Sequence, residues 1–185
     1  MGALVRLHAL VFGTVERVFG DWFLGLLARF TFAAVLLAYF WNSALTKIGP
    51  GLLGVFGLSP GAYVQIFPKR MEAVGYDPSQ LSFVEHLVTH VGTYAEFLLP
   101  ALIVVGLLTR LASLGMIVFI AVMTAVDITG HGVDAATIGA WFDRQSGAAI
   151  ADDRTLWVFL LLVLVLRGPG PVSLDWVLGR RYRGR

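Results

Sequence analysis

Long apolar runs separated by short polar or glycine-rich breaks set the pattern of this chain. At its start, Leu4, Leu7, Val11, Val15, Val18 and Trp22 recur at three- and four-residue steps, with Arg6, Arg17 and Asp21 opposite. That spacing predicts an amphipathic helix over about residues 1–20, lying in a membrane interface. Arg6 and His8 occupy the place of a signal peptide's apolar core, and no A-x-A pattern follows, so the segment reads as a helix and not as a cleaved leader. A spanning helix takes roughly 20 mainly apolar residues. Such runs fall at about 23–46, 84–108 and 111–126, with "TR" as the whole turn between the last two. A fourth, 155–167, is short, its apolar stretch Leu156–Leu166 covering only 11 residues. Arg167 snorkelling to the surface and residues before Asp153 extending the helix make up the length. The expectation is a single all-α domain, a polytopic membrane four-helix bundle with an N-terminal interfacial helix.

The segments between spans carry their own patterning. Residues 49–82 are punctuated by Gly and Pro but contain the helix-like "GAYVQIFPKRMEAVGY", which predicts a fold over the bundle mouth. Residues 129–154 hold Ile138, Trp141 and Phe142, which need something to pack on. Ser173 is placed to cap a short last helix, "SLDWVLG", ahead of the basic tail of 168–185.

Composition agrees with a membrane reading. Of 185 residues, 57% are hydrophobic and 14% charged, against about 25% charged in soluble domains, and the mean hydropathy is +0.78. There is no cysteine, which excludes disulfides, Cys-ligated metals, covalently attached haem and thiol–disulfide catalysis. The net charge is only +2, so its distribution matters more. With the N-terminus inside, nine basic residues fall on the cytoplasmic side: Arg6, Arg17, Arg29, Arg110, Arg167, Arg180, Arg181, Arg183 and Arg185. Five fall outside: Lys47, Lys69, Arg70, Arg144 and Arg154. The positive-inside rule then predicts a membrane protein with both termini cytoplasmic. The terminal arginines read as topology determinants near anionic lipid, not as a nucleic-acid patch.

An ordered set of motifs runs through the spans. It comprises an Arg before the first span and a Lys at its end ("LARFTFAAVLLAYFWNSALTKIG"), and a Glu inside the second ("YAEFLLPALIVVGLLTRLASLGM"). G-L-x-T-R-x-A follows between spans, and a GPGP-S-L-D exit closes the fourth ("LLLVLVLRGPGPVSLDWVLGRR"). Taken together, these resemble the DoxX-like membrane proteins over residues 24–181. The resemblance implies a four-helix membrane bundle and a link to redox systems. The family takes its name from a subunit of a thiosulfate:quinone oxidoreductase. Partners so implied are the bilayer and a membrane or periplasmic redox protein.

Polar groups inside the apolar runs are the candidates for function, since an ionisable side chain in a span costs about 2.5–3.5 kcal/mol on insertion scales. Glu96 lies deep in the second span. At about 100° per residue, Thr89 and Glu85 fall within about 20° of its azimuth. That face must look inward, at Arg29 or Lys47 of the first helix, either as a buried ion pair that fixes packing or as a proton-exchanging carboxylate. His90 is the second proton-exchange candidate. A quinone head requires donors and an acid, which Lys47, Asn42, His90 and Tyr94 together with Glu96 supply in this reading. His86 and His90, four apart on one helix face, with Asp127 and His131 from the third span, are types and spacings a metal uses. The functional expectation is a redox-linked, quinone-interacting subunit of a membrane oxidoreductase. The alternatives are a metal-handling protein using the outer histidines and a subunit whose polar core is structural.

Overall fold

The computed structural model describes residues 2–20, 22–51 and 53–183, and among these every regular element is helical. Asp21 and residues 184–185 lie outside the described residues. Helix α1 is Gly2–Phe19. Helix α2, Phe23–Leu45, contains a π-helical stretch at Ala33–Leu37. Two short helices follow, α3 (Pro60–Ile66) and α4 (Pro68–Ala73). Then come α5 (Phe83–Val105) and α6 (Thr109–His131), the latter ending in a π stretch at Val126–His131. The single turn α7 (Ala135–Ile138) precedes α8 (Thr155–Arg167), and α9 is Leu174–Arg183.

Helices α2, α5 and α6 are each long and apolar enough to cross a membrane. Their outward faces carry exposed Phe30, Val35, Leu98, Leu111 and Val118, an apolar surface suited to lipid and not to water. Helix α8 has 13 residues, but a π stretch at Ala149–Arg154 runs into it without a break, as expected of the residues before Asp153. Four helices meet in one core. Ala28, Phe32, Leu36 and Phe40 of α2 face Ile103 of α5, Ala112, Met116 and Ile120 of α6, and Leu161 and Leu164 of α8.

The π stretch in α2 resets its inward stripe. Before it the buried positions are Gly25, Ala28, Arg29 and Phe32. After it they are Leu36, Phe40 and Ala44, with Lys47 just beyond. One extra residue per turn re-aims every later side chain.

The turn between α5 and α6 is Gly106–Leu108, not the "TR" expected, and Thr109 and Arg110 already belong to α6. Gly106 sits at φ 71, where Leu107 N–H bonds Leu102 C=O at 2.9 Å and closes α5. That left-handed position suits glycine. A Cβ there would also lie 2.5 Å from Ser173 Cβ and 2.9 Å from Arg29 Cζ. Asp175 caps the next helix, accepting from Leu108 N–H (2.7 Å), Thr109 N–H (2.8 Å) and the Thr109 hydroxyl (2.8 Å).

Arg29 completes this knot. Its guanidinium donates to the carbonyls of Ile103 (3.0 Å), Val104, Pro169 (3.3 Å) and Val172, a cation placed on the negative end of α5. The Arg before the first span, the G-L-x-T-R turn and the GPGP-S-L-D exit therefore converge in one structural junction at the hairpin end of the bundle.

At the opposite, mouth end, the 49–82 segment folds over as expected. It builds a small second core of Tyr63, Met71 and Leu81. Helix α5 starts in a capping box between Ser82 and Glu85, and Glu85 also pairs with Arg70 at 3.3 Å. Glu85 thus ends as a helix cap and not as part of the inward face with Glu96. Trp141 and Phe142, expected to need packing, are instead exposed, although the Trp141 indole N–H bonds Ala151 C=O at 3.0 Å.

Candidate functional site

Helices α5 and α6 touch near the hairpin end, where a Cβ on Gly115 would come within 3.1 Å of Leu99 Cδ2. Toward the mouth a cleft of about 650 Å3 lies between them, with α2 also in its wall. The α5 wall is Val88, Val91, Gly92, Ala95 and Leu99, a single helical stripe. The α6 wall is Val118, Phe119, Val122 and Met123. Val91, Val118 and Val122 are each more than half exposed, so the cleft is open at its apolar walls. Ile66 and Gln65 of α3 close the mouth, and His131 Nε2 meets Gln65 C=O at 2.9 Å.

The polar groups of the cleft come from Tyr39, Ser43 and Lys47, one turn apart along α2, together with Glu96 and Asp127. Lys47, just past the end of α2, turns back into the bundle. Its ammonium lies 2.8 and 3.0 Å from the two Glu96 oxygens and 2.7 Å from the Ser43 hydroxyl. Both charged side chains are almost wholly buried. Buried this deeply, the pair survives only because each charge neutralises the other, and removal of either leaves the other stranded. Of the two cations expected for Glu96, the structure selects Lys47. Arg29 is instead held by the carbonyls of the knot at the hairpin end.

A second ion pair stands at the mouth. Arg154, from the π stretch before α8, bonds Asp127 and the Thr124 hydroxyl (2.7 Å), both of α6. Asp127 lines the cleft, whereas Arg154 lines a second cavity of about 640 Å3 between α6 and α8. The pair is thus the partition between two cavities, and each partner lies in a π-helical stretch.

The expected clusters divide. His90 and Tyr94 do not join Glu96. The His90 Nδ1 lies 2.8 Å from His86 C=O, and the Tyr94 hydroxyl donates to Val55 C=O at 2.7 Å on the side covered by the 49–57 segment. Asn42 is exposed and lines no cavity with Glu96. Lys47 alone of that set reaches the cleft.

The expected metal set is not assembled. Among the described residues no group of three or more His, Cys, Asp or Glu is placed to hold a metal. His86 Nδ1 is 2.9 Å from the Tyr63 hydroxyl, His131 bonds Gln65, and Asp127 is taken by Arg154. Asp127 and His131 line the cleft, whereas His86 and His90 do not.

Sequence reading missed Tyr39, Ser43 and Arg154. The first two lie at i and i+4 before Lys47, a signal present in the chain. Arg154 was obscured by its place in a loop-like acidic stretch. No family model, no curated protein and no solved structure matches the chain.

Proposed function

We propose that this chain is a redox-linked membrane subunit that takes a quinone-type molecule in the cleft between α5 and α6. The observation that carries the reading is the cleft itself. Apolar walls open toward the lipid-suited surface, and a buried ammonium–carboxylate pair stands at their inner end. A quinone partitions into the bilayer, enters laterally, lays its tail along the valine walls and brings its ring to the polar end. Glu96, hydrogen-bonded to Lys47 and Ser43, is the proton-exchange group of this reading.

In the same reading, α8 with its π-helical extension is the fourth span, α1 and α9 lie in the interface, and both termini are cytoplasmic. Helix α1 supports this with Leu4, Leu7, Leu10 and Phe12 exposed, packed on no core. The DoxX-like resemblance supports the redox link.

The second reading is a subunit with a purely structural polar core. It draws on Lys47 and Glu96, whose bonds are mutually satisfied. Purification in mild detergent, followed by mass spectrometry of lipids, metals and partners together, separates them. Near-stoichiometric quinone supports the first reading. A stable protein partner with no quinone supports the second.

A further inference from the structure

The donors deep in the cleft are almost all spent. The three protons of Lys47 have Glu96 and Ser43 as acceptors within 3.3 Å. Glu96 and Asp127 are acceptors already held by cations. His131 is engaged with Gln65. The Tyr63 and Tyr94 hydroxyls are bonded, but that of Tyr39 has no partner among the described residues.

Tyr39 is nonetheless a fixed group. Its ring stands edge-on to Phe40, 5.0 Å away at 88°, and 5.2 Å from Trp157. Phe40 is fully buried, so the platform is rigid, while Tyr39 itself is 46% exposed and lines the cleft. A hydroxyl that faces apolar walls favours any ligand that accepts its hydrogen bond.

We propose that Tyr39 is the head-binding residue of the cleft, donating its hydroxyl proton to a neutral acceptor oxygen, a ring carbonyl, on the bound molecule. This rests on the quinone reading and narrows it. The head must be neutral, because Glu96 and Asp127 flank the position and their charges are already balanced by Lys47 and Arg154. An anionic head would add an uncompensated charge beside two carboxylates.

The test uses the full chain in phosphatidylcholine nanodiscs, as parent and as Tyr39→Phe, which keeps the ring and its two aromatic contacts. Decylubiquinone is titrated and read by quenching of tryptophan fluorescence, since Trp157 adjoins Tyr39. Decylbenzene, with no carbonyl, and decanoate, with an anionic head, are measured by displacement.

The parent is expected to prefer decylubiquinone over decylbenzene by about tenfold, the effect of one buried hydrogen bond. Tyr39→Phe should lose that preference with an unchanged melting temperature. Equal preference in both proteins overturns the role of Tyr39 and leaves the quinone reading standing. No quenching in the parent overturns the quinone reading itself, and this role with it. Should the variant not fold, the parent still decides: decanoate bound as tightly as decylubiquinone contradicts the neutral-acceptor site.

Discussion

Lys47 and Glu96 join the first and second long helices through a buried ion pair. Glu96→Gln keeps the shape but strands the ammonium, and is expected to destabilise the protein by roughly 3–5 kcal/mol. The double variant Lys47→Met, Glu96→Leu should recover most of that, because an apolar pair of similar volume carries no desolvation cost. Thermal unfolding of the two single variants and the double in detergent checks the cycle. A Glu96→Gln variant that melts with the parent contradicts the pairing. At the surface, Asp134 caps α7 through Thr137 N–H (2.7 Å), and that bond holds its carboxyl below the usual range. A depressed folded pKa means the cap is complete above the unfolded value of about 3.8 and is lost as pH falls through the folded one. The protection factor of the Thr137 amide, its exchange rate relative to the intrinsic rate at each pH, should therefore fall below about pH 4 and stay flat above it. The need of Glu96 for a cation was legible in the sequence, from one carboxylate in an apolar run. Its choice of Lys47 was not, because the π stretch at Ala33–Leu37 re-aims the later part of α2 and no propensity marks that extra residue.

The junction at the hairpin end is where elements depend on one another. Arg29, Gly106 and Asp175 come from three separate helices or their ends, and each closes a helix terminus that lacks a partner of its own. Asp175→Ala is expected to cost about 1–2 kcal/mol, the worth of an N-cap, and to fray the first turn of α6. Hydrogen exchange at Thr109 and its neighbours reads this locally. Gly25 packs against the exit segment so closely that a Cβ would lie 2.4 Å from Gly168 C=O. Gly25→Val should consequently push the exit loop off α2 and lower the melting temperature more than Gly13→Val, where nothing lies within 4 Å. Equal melting temperatures would mean the contact is not made. Long apolar periodicity made the three spans legible, and glycine and proline breaks fixed their limits to within a few residues. The extension of the short fourth helix before Asp153 was legible too, but its π-helical form was not, because "AIADDR" reads as loop chemistry. His90 and Tyr94 misled for a related reason. Proximity in sequence to Glu96 does not mean a shared helix face, and the folded 49–57 segment claims theirs.

For the molecule as a whole, the burial of Lys47 and Arg154 in ion pairs changes the charge count. On the mouth side Lys69, Arg70 and Arg144 remain as the basic residues free of the bundle interior, and at the hairpin end Arg29 is likewise buried, so the positive-inside rule still predicts an external mouth. Reporter fusions after Gly75 and Ala148 should both report the outer side, and a fusion at the C-terminus the inner. An inner report after Gly75 reverses the orientation. In the proposed function, the cleft between α5 and α6 admits a lipid-soluble ring from the bilayer. The most direct measurement is photolabelling of the full chain in membranes with an azido-quinone, followed by mapping of the adducts. Adducts confined to Tyr39, Val91, Gly92, Val118 and Val122, and abolished by excess unlabelled quinone, are the expected result. Adducts spread evenly over the lipid-facing residues, or centred on His90 and Tyr94, would contradict it.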